Sequence, residues 1–334
     1  MRPVVLYSVV FIFILLSIAS GQDVAKQIKD SQNLQISSAL DGAIQEHISL
    51  ISTDSIKSYI DKITDFKTRF MLADNRKEIA QWFVDKFKSF AYDQIAIDSF
   101  QNTIEWPMQS GQKVSSWQYN ASATLPGSAT QDTICVLGAH YDCMIMGPGT
   151  DPYKFSPGAD NNASGLAVCL EIARVLKQSG FEPKYPIQFV AFGSEEFMTM
   201  FVEGESGSQT YIAALKHEGK TVKLMLDNNQ VSFSPDTAAW KLDFQNYPGS
   251  ENLTALAHMI CDKYTKITPV DTSDHTPYSD ARYFHEAGYP TIFFEEYHFN
   301  PYTFTDEDIP ENCNFDYCAE VAKISCGILI YSTY

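Results

Sequence analysis

Short apolar runs alternating with amphipathic stretches predict an α/β fold: a single domain on a mixed, largely parallel sheet flanked by helices. Three observations carry this. Thr133–Leu137, Ile187–Phe192, Leu224–Leu226 and Thr291–Phe294 are short, mostly apolar runs, as strands covered on both faces require. Between them, residues such as Leu166, Cys169, Leu170, Ala173 and Leu176 recur at helical spacing. No internal repeat, low-complexity tract or linker interrupts the alternation, so it reads as one unit.

The elements follow in order. Met1 to Gly21 has a charge at Arg2, an apolar stretch from Val4 to Ala19 and the small residues Ala19, Ser20 and Gly21, which is the make-up of a secretory signal. That stretch is short for a membrane span, and no other approaches about 18 apolar residues. A secreted chain with no span in its mature part is expected. Residues 22–66 are polar and weakly periodic, and predict short helices ahead of a main domain over 67–334. Ile79, Phe83, Phe87 and Phe90 predict an amphipathic helix over 76–90. Ile95–Phe100 alternates and predicts a strand, as does Trp117–Ala123. Thr133–Leu137, bounded by Gly138, predicts a buried strand, followed by a helix over 163–178 and the strand 187–192. Then come a helix over 208–218, a strand at 224–226, helices over 250–262 and 279–287, and a strand at 291–294. Tyr317, Val321, Ile324 and Ile328 stripe a C-terminal helix.

The chain has 334 residues, 24 basic and 41 acidic, for a net charge of −17. Such acidity repels phosphate backbones and anionic membranes, which disfavours nucleic acid as a partner. Seven cysteines show no paired Cys-x-x-Cys spacing, so a thiolate metal site is not expected. Export permits disulfides, and the odd count leaves at least one thiol free. Asn120-Ala-Ser, Asn162-Ala-Ser and Asn252-Leu-Thr match the glycosylation sequon, the second of them inside a candidate metal loop.

Chemistry concentrates where strands end, the face at which such sheets carry their sites. His140-Tyr-Asp142 follows one strand, Glu195-Glu196 another and Asp227 a third, while Asp160 ends the approach Pro157-Gly-Ala. Imidazole and carboxylate are zinc donors, and Asp142 is placed to take the second imidazole N–H and raise its basicity. Of two neighbouring glutamates in a turn, one can ligate while the other faces a metal-bound water.

From His140 to Asp308 the chain resembles the secreted zinc aminopeptidases of the bacterial leucyl aminopeptidase type, whose relatives include single-zinc glutaminyl cyclases. The resemblance rests on His140-Tyr-Asp142, Pro157 to Gly165, Glu195-Glu196, Leu226-Asp227, Ser273-Asp274-His275 and Ala287-Gly-Tyr-Pro290. It implies a zinc-exopeptidase-like fold, a peptide substrate and one or two zinc ions. It implies that Asp160 bridges the ions, that His140 and Asp227 complete one site, and that Glu196 with a later histidine completes the other. Glu195 is then the general base, Ser273–His275 lines the cleft, and the Asp160–Asn161 bond is cis.

The chain departs from the family in two places. Phe197–Ser206 is longer than the family's loop and is expected to overhang the cleft. Asn300-Pro-Tyr-Thr-Phe304-Thr carries phenylalanine where the family's ligand histidine stands, with His298 the nearby substitute and Glu295 and Glu296 further oxygen donors. The expected function is exopeptidase hydrolysis of amino-terminal residues. A non-catalytic peptide- or partner-binding descendant and a glutaminyl-cyclase-like acyltransferase stay open beside it.

Overall fold

In the computed structural model, residues 34–196, 201–235, 239–272 and 279–334 are described. Nine strands form one sheet: β1 (Gln94–Glu105), β2 (Lys113–Leu125), β3 (Thr133–His140), β4 (Ile187–Phe192), β5 (Phe201–Glu203), β6 (Thr221–Asn229), β7 (Lys241–Asn246), β8 (Thr268–Thr272) and β9 (Thr291–Glu296). Their order is β5-β1-β2-β4-β3-β6-β9-β7-β8. The centre, β4-β3-β6-β9, is parallel, and antiparallel pairings join β2 to β4 and β7 to β9. The sheet is mixed with a parallel heart, which sets the ends of β3, β4 and β6 side by side.

Eight α-helices accompany it among the described residues: α1 (Ser38–Ile48), α2 (Thr53–Thr64), α3 (Arg76–Ser89), α4 (Gly165–Gln178), α5 (Gly207–His217), α6 (Glu251–Tyr264), α7 (Asp280–Glu286) and α8 (Phe315–Thr333). Strand alternation divides the core in two. Cys135 and Leu137 of β3 join the large cluster with α1–α4, α6 and α8, while Ile134 and Val136 face α5 and α7. The sheet is therefore covered on both faces, which is why its central strands read as continuous apolar runs.

Within the segment 22–66, the described residues 34–66 contribute more than their weak periodicity suggests. Ser37 and Ser52 cap α1 and α2 through their side chains, and Ile44, Ile56, Ile60 and Ile63 are fully buried in the main core. Both helices pack on α8. Part of the longer loop after Glu196 also differs from expectation. Phe201–Glu203 lies along the sheet edge as β5, antiparallel to β1 at Thr103 and Ile104, so this part docks on the scaffold. Residues 197–200 lie outside the described residues.

No cysteine is in a disulfide, and all except Cys313 are buried. Asn120 and Asn162 are fully buried with their amides engaged, whereas Asn252 is exposed. Among the three sequons, only Asn252 is accessible.

Candidate metal centre

The site is built at the carboxyl edge of the parallel strands. His140 is the last residue of β3 and is 1% exposed. Its Nδ1 lies 2.9 Å from the Asp142 carbonyl. A carbonyl only accepts, so Nδ1 carries the proton and Nε2 keeps its lone pair. Burial lowers the pKa of His140, which keeps the ring neutral and ready to ligate. The Asp142 carboxylate has a different task from the one expected. Its oxygens accept the peptide N–H groups of Glu195 at 2.9 Å and Glu196 at 3.1 Å, while Oδ1 is 3.8 Å from His140 Nδ1. The backbone carbonyl orients the histidine, and the carboxylate orients the glutamates.

Before those glutamates, Ser194 takes a left-handed backbone conformation (φ 68°), and its hydroxyl accepts a hydrogen bond from Asn102. Such a conformation at a non-glycine residue is uncommon and is held by its surroundings. The loop 157–165 is fixed from below by Arg69, a buried side chain that sequence reasoning missed. Its guanidinium donates to the carbonyls of Tyr141, Pro157 and Gly158. Gly158 has φ 54°, and a Cβ there would meet Asn161 O at 2.3 Å and the guanidinium at 2.7 Å. Asp308 accepts the N–H groups of Asp160 and Asn161, and Asn162 ties the loop to β6 through Asn228 O and Gln230 N. The cis peptide bond lies between Asn161 and Asn162, one residue beyond the expected place.

Among the described residues, one group of imidazole and carboxylate donors converges: His140, Glu195 and Glu196, with donor atoms within 4.8 Å of one another. His140 Nε2 is 3.8 Å from Glu195 Oε2. Two amides complete the surroundings. Asn161 Nδ2 donates to Glu196 Oε1 at 2.7 Å, and Asn229 Oδ1 lies 3.3 Å from His140 Nε2.

The other expected ligands stand apart. Asp160 has Oδ1 taken by the N–H and hydroxyl of Ser232, both at 2.8 Å, and Oδ2 taken by Asn300 at 2.9 Å. Asp227 Oδ2 accepts the N–H of Ala281 at the start of α7. His298 is exposed and packs edge-on against Tyr297, because residues 297–299 form an outward loop. Glu295 accepts from Gln245, and Glu296 accepts from Phe233 N and Asn300 N. Phe304 packs beside an apolar cluster containing Phe70, Met71 and Met144, and its carbonyl receives Met146 N. Ser273–His275 falls outside the described residues.

Burial is the first cause that raises the pKa of Glu195 and of Glu196 well above the ordinary carboxylate range. Next come Glu196 and Asp280 for Glu195, and Asp142 for Glu196. Buried acids without a cation partner behave this way. The donor set fits one zinc ion, which favours imidazole nitrogen and carboxylate oxygen in a four-coordinate shell. Asp160 spends both oxygens on Ser232 and Asn300, and Asp227 Oδ2 is held by Ala281 N.

The comparisons with known proteins agree with this architecture. Residues 120–329, more than half the chain, match the model of peptidase family M28. The leucine aminopeptidase 1 of Trichoderma harzianum is 24% identical over 304 residues, spanning 85% of this chain and 70% of that protein. The LapA aminopeptidase of Legionella pneumophila superposes with a TM-score of 0.73 at 20% identity, over 90% of this chain and 76% of that one. A zinc aminopeptidase from Bacillus subtilis gives 0.67 at 15% identity, over 85% and 96%. At these identities, the two structures establish the fold. With the family match spanning most of the sheet and every strand end that bears the centre, the chain belongs to peptidase family M28 and is of its metallo-aminopeptidase kind.

Proposed function

We propose that the chain is an exported, zinc-dependent exopeptidase that removes amino-terminal residues from peptides, with Glu195 as the general base. The convergence of His140, Glu195 and Glu196 at one sheet edge carries this reading. His140 and Glu196 would hold the ion, Glu196 being steadied by Asn161. Zinc, when bound, polarises a scissile carbonyl and brings the pKa of water toward ~7. Glu195 accepts the proton of the attacking water and returns it to the leaving amine. Asp142 positions that carboxylate through the backbone on which it sits. Export rests on the signal-like Met1–Gly21, and no described helix is long and apolar enough to cross a membrane.

Glu195→Gln preserves volume and removes the proton acceptor. Turnover of an aminoacyl-anilide is expected to fall by about 10²–10⁴-fold while bound zinc stays constant. Loss of zinc in parallel with activity would make Glu195 a ligand, and unchanged turnover would remove it from the mechanism.

A second reading, a descendant that binds peptides without cleaving them, draws on Phe304 and on the amides facing His140 and Glu196. An intact chain that binds peptide and zinc but turns over neither the anilide nor an amino-terminal glutamine peptide would decide for it. Conversion of the glutamine peptide alone would point to cyclase chemistry.

A further inference from the structure

We propose that this centre takes a single divalent ion, and that the amide oxygens of Asn161 and Asn229 serve as its ligands in place of the carboxylates of Asp160 and Asp227, with a position kept for water. The proposal rests on the metal-binding part of the function above and is independent of catalysis.

The amides carry the argument. Asn161 is 4% exposed, and its Nδ2 is used by Glu196, which leaves Oδ1 buried with no hydrogen-bond partner. A buried carbonyl oxygen without a donor costs about 1–3 kcal/mol, and a cation beside Glu196 removes that cost. Asn229 is 7% exposed, and its Oδ1 meets His140 Nε2 at 3.3 Å. Because Nδ1 carries the proton, two lone pairs face each other there. A cation shared by both satisfies them, as does turning the amide over.

Charge then limits the number of ions. Glu195 and Glu196 supply two negative charges to the centre, and Asn161 and Asn229 supply none. One divalent ion matches the two carboxylates of the converging group, and that group offers a second ion no further carboxylate. Asp142 already has both oxygens on the N–H groups of Glu195 and Glu196. Asp160 is fully committed to Ser232 and Asn300. Asp227 Oδ1 has no hydrogen-bond partner, but this side chain lies outside the converging group, beside Asp280. The backbone of Asn161 is itself pinned by Asp308, so the amide is presented from a fixed point.

The test reads metal, not turnover. The full chain is stripped with a chelator, titrated with zinc, and its content measured by mass spectrometry after dialysis. Wild type is expected to hold one zinc per chain. Asn161→Ala and Asn229→Ala are each expected to weaken zinc about 10–100-fold, whereas Asp160→Asn retains it. Asn161→Asp is expected to raise the stoichiometry above one or tighten binding at least tenfold. Thermal melts of the stripped proteins identify any variant that fails to fold, and the remaining variants decide. Two zincs on wild type, none at all, or zinc lost from folded Asp160→Asn but kept by both alanine variants would overturn the proposal. One bound zinc without peptide cleavage would overturn the proposed hydrolysis and leave this inference standing.

Discussion

At Asp142 a single side chain sets the direction of two others. Each of its oxygens receives one peptide N–H, so Glu195 and Glu196 share a common anchor. Asp142→Ala removes both acceptors and leaves His140 its backbone carbonyl. Zinc affinity is expected to drop about 10–100-fold with the fold retained, as measured by competition against a chromophoric chelator. Unchanged affinity would show that the turn holds without it. His140, Glu195 and Glu196 are legible in the sequence because each directly follows an apolar strand. The choice among Asp160, Asn161 and Asn162 is not, since three adjacent polar residues differ only in which side chain the loop turns inward. Arg69 is hidden for a related reason: its three acceptors are backbone carbonyls of residues far along the chain.

At the scale of elements, α2 is the instructive case. Its apolar residues Ile56, Ile60 and Ile63 are interspersed with Lys57, Asp61 and Lys62, and the short stripe is easily taken for a peripheral helix. In the fold, all three isoleucines are fully buried. Ile60→Ala is expected to cost about 2–5 kcal/mol of stability, read from urea unfolding. A loss under about 0.5 kcal/mol, typical of surface substitutions, would show that the helix is peripheral. The buried central strands and most helices were legible from their periodicity. β7 and β8 were not: they lie at the end of the sheet, and only Leu242 and Phe244 of β7 enter the core. The β5 pairing was equally hidden, since three residues give no period to read.

For the whole molecule, pH is the informative variable. Burial pushes Asp227 and Asp308 up to about 7, and Glu295 likewise to about 7, and it also raises Glu195, Glu196 and Glu296 well above the ordinary carboxylate range. For an acid whose pKa rises on folding, the stabilising contribution is complete below the unfolded value near ~4. It is lost as pH climbs through the folded value. The zinc-free chain is therefore expected to melt at a higher temperature at pH 5 than at pH 8, and zinc should restore part of the difference at pH 8. Scanning calorimetry in chelator and in zinc checks this, and a metal-free Tm higher at pH 8 would contradict it.

The position of α8 has a consequence for how the chain comes to be folded at all. It packs against α1, α2, α4, α6 and β3, and Tyr317, Val321, Ile324 and Ile328 are fully buried there. During synthesis this helix is made after everything it covers. The first helices lack this partner until some 250 later residues have emerged, which at about 5–20 residues per second takes on the order of ten seconds or more. Until then the nascent chain lacks the piece that closes its main core.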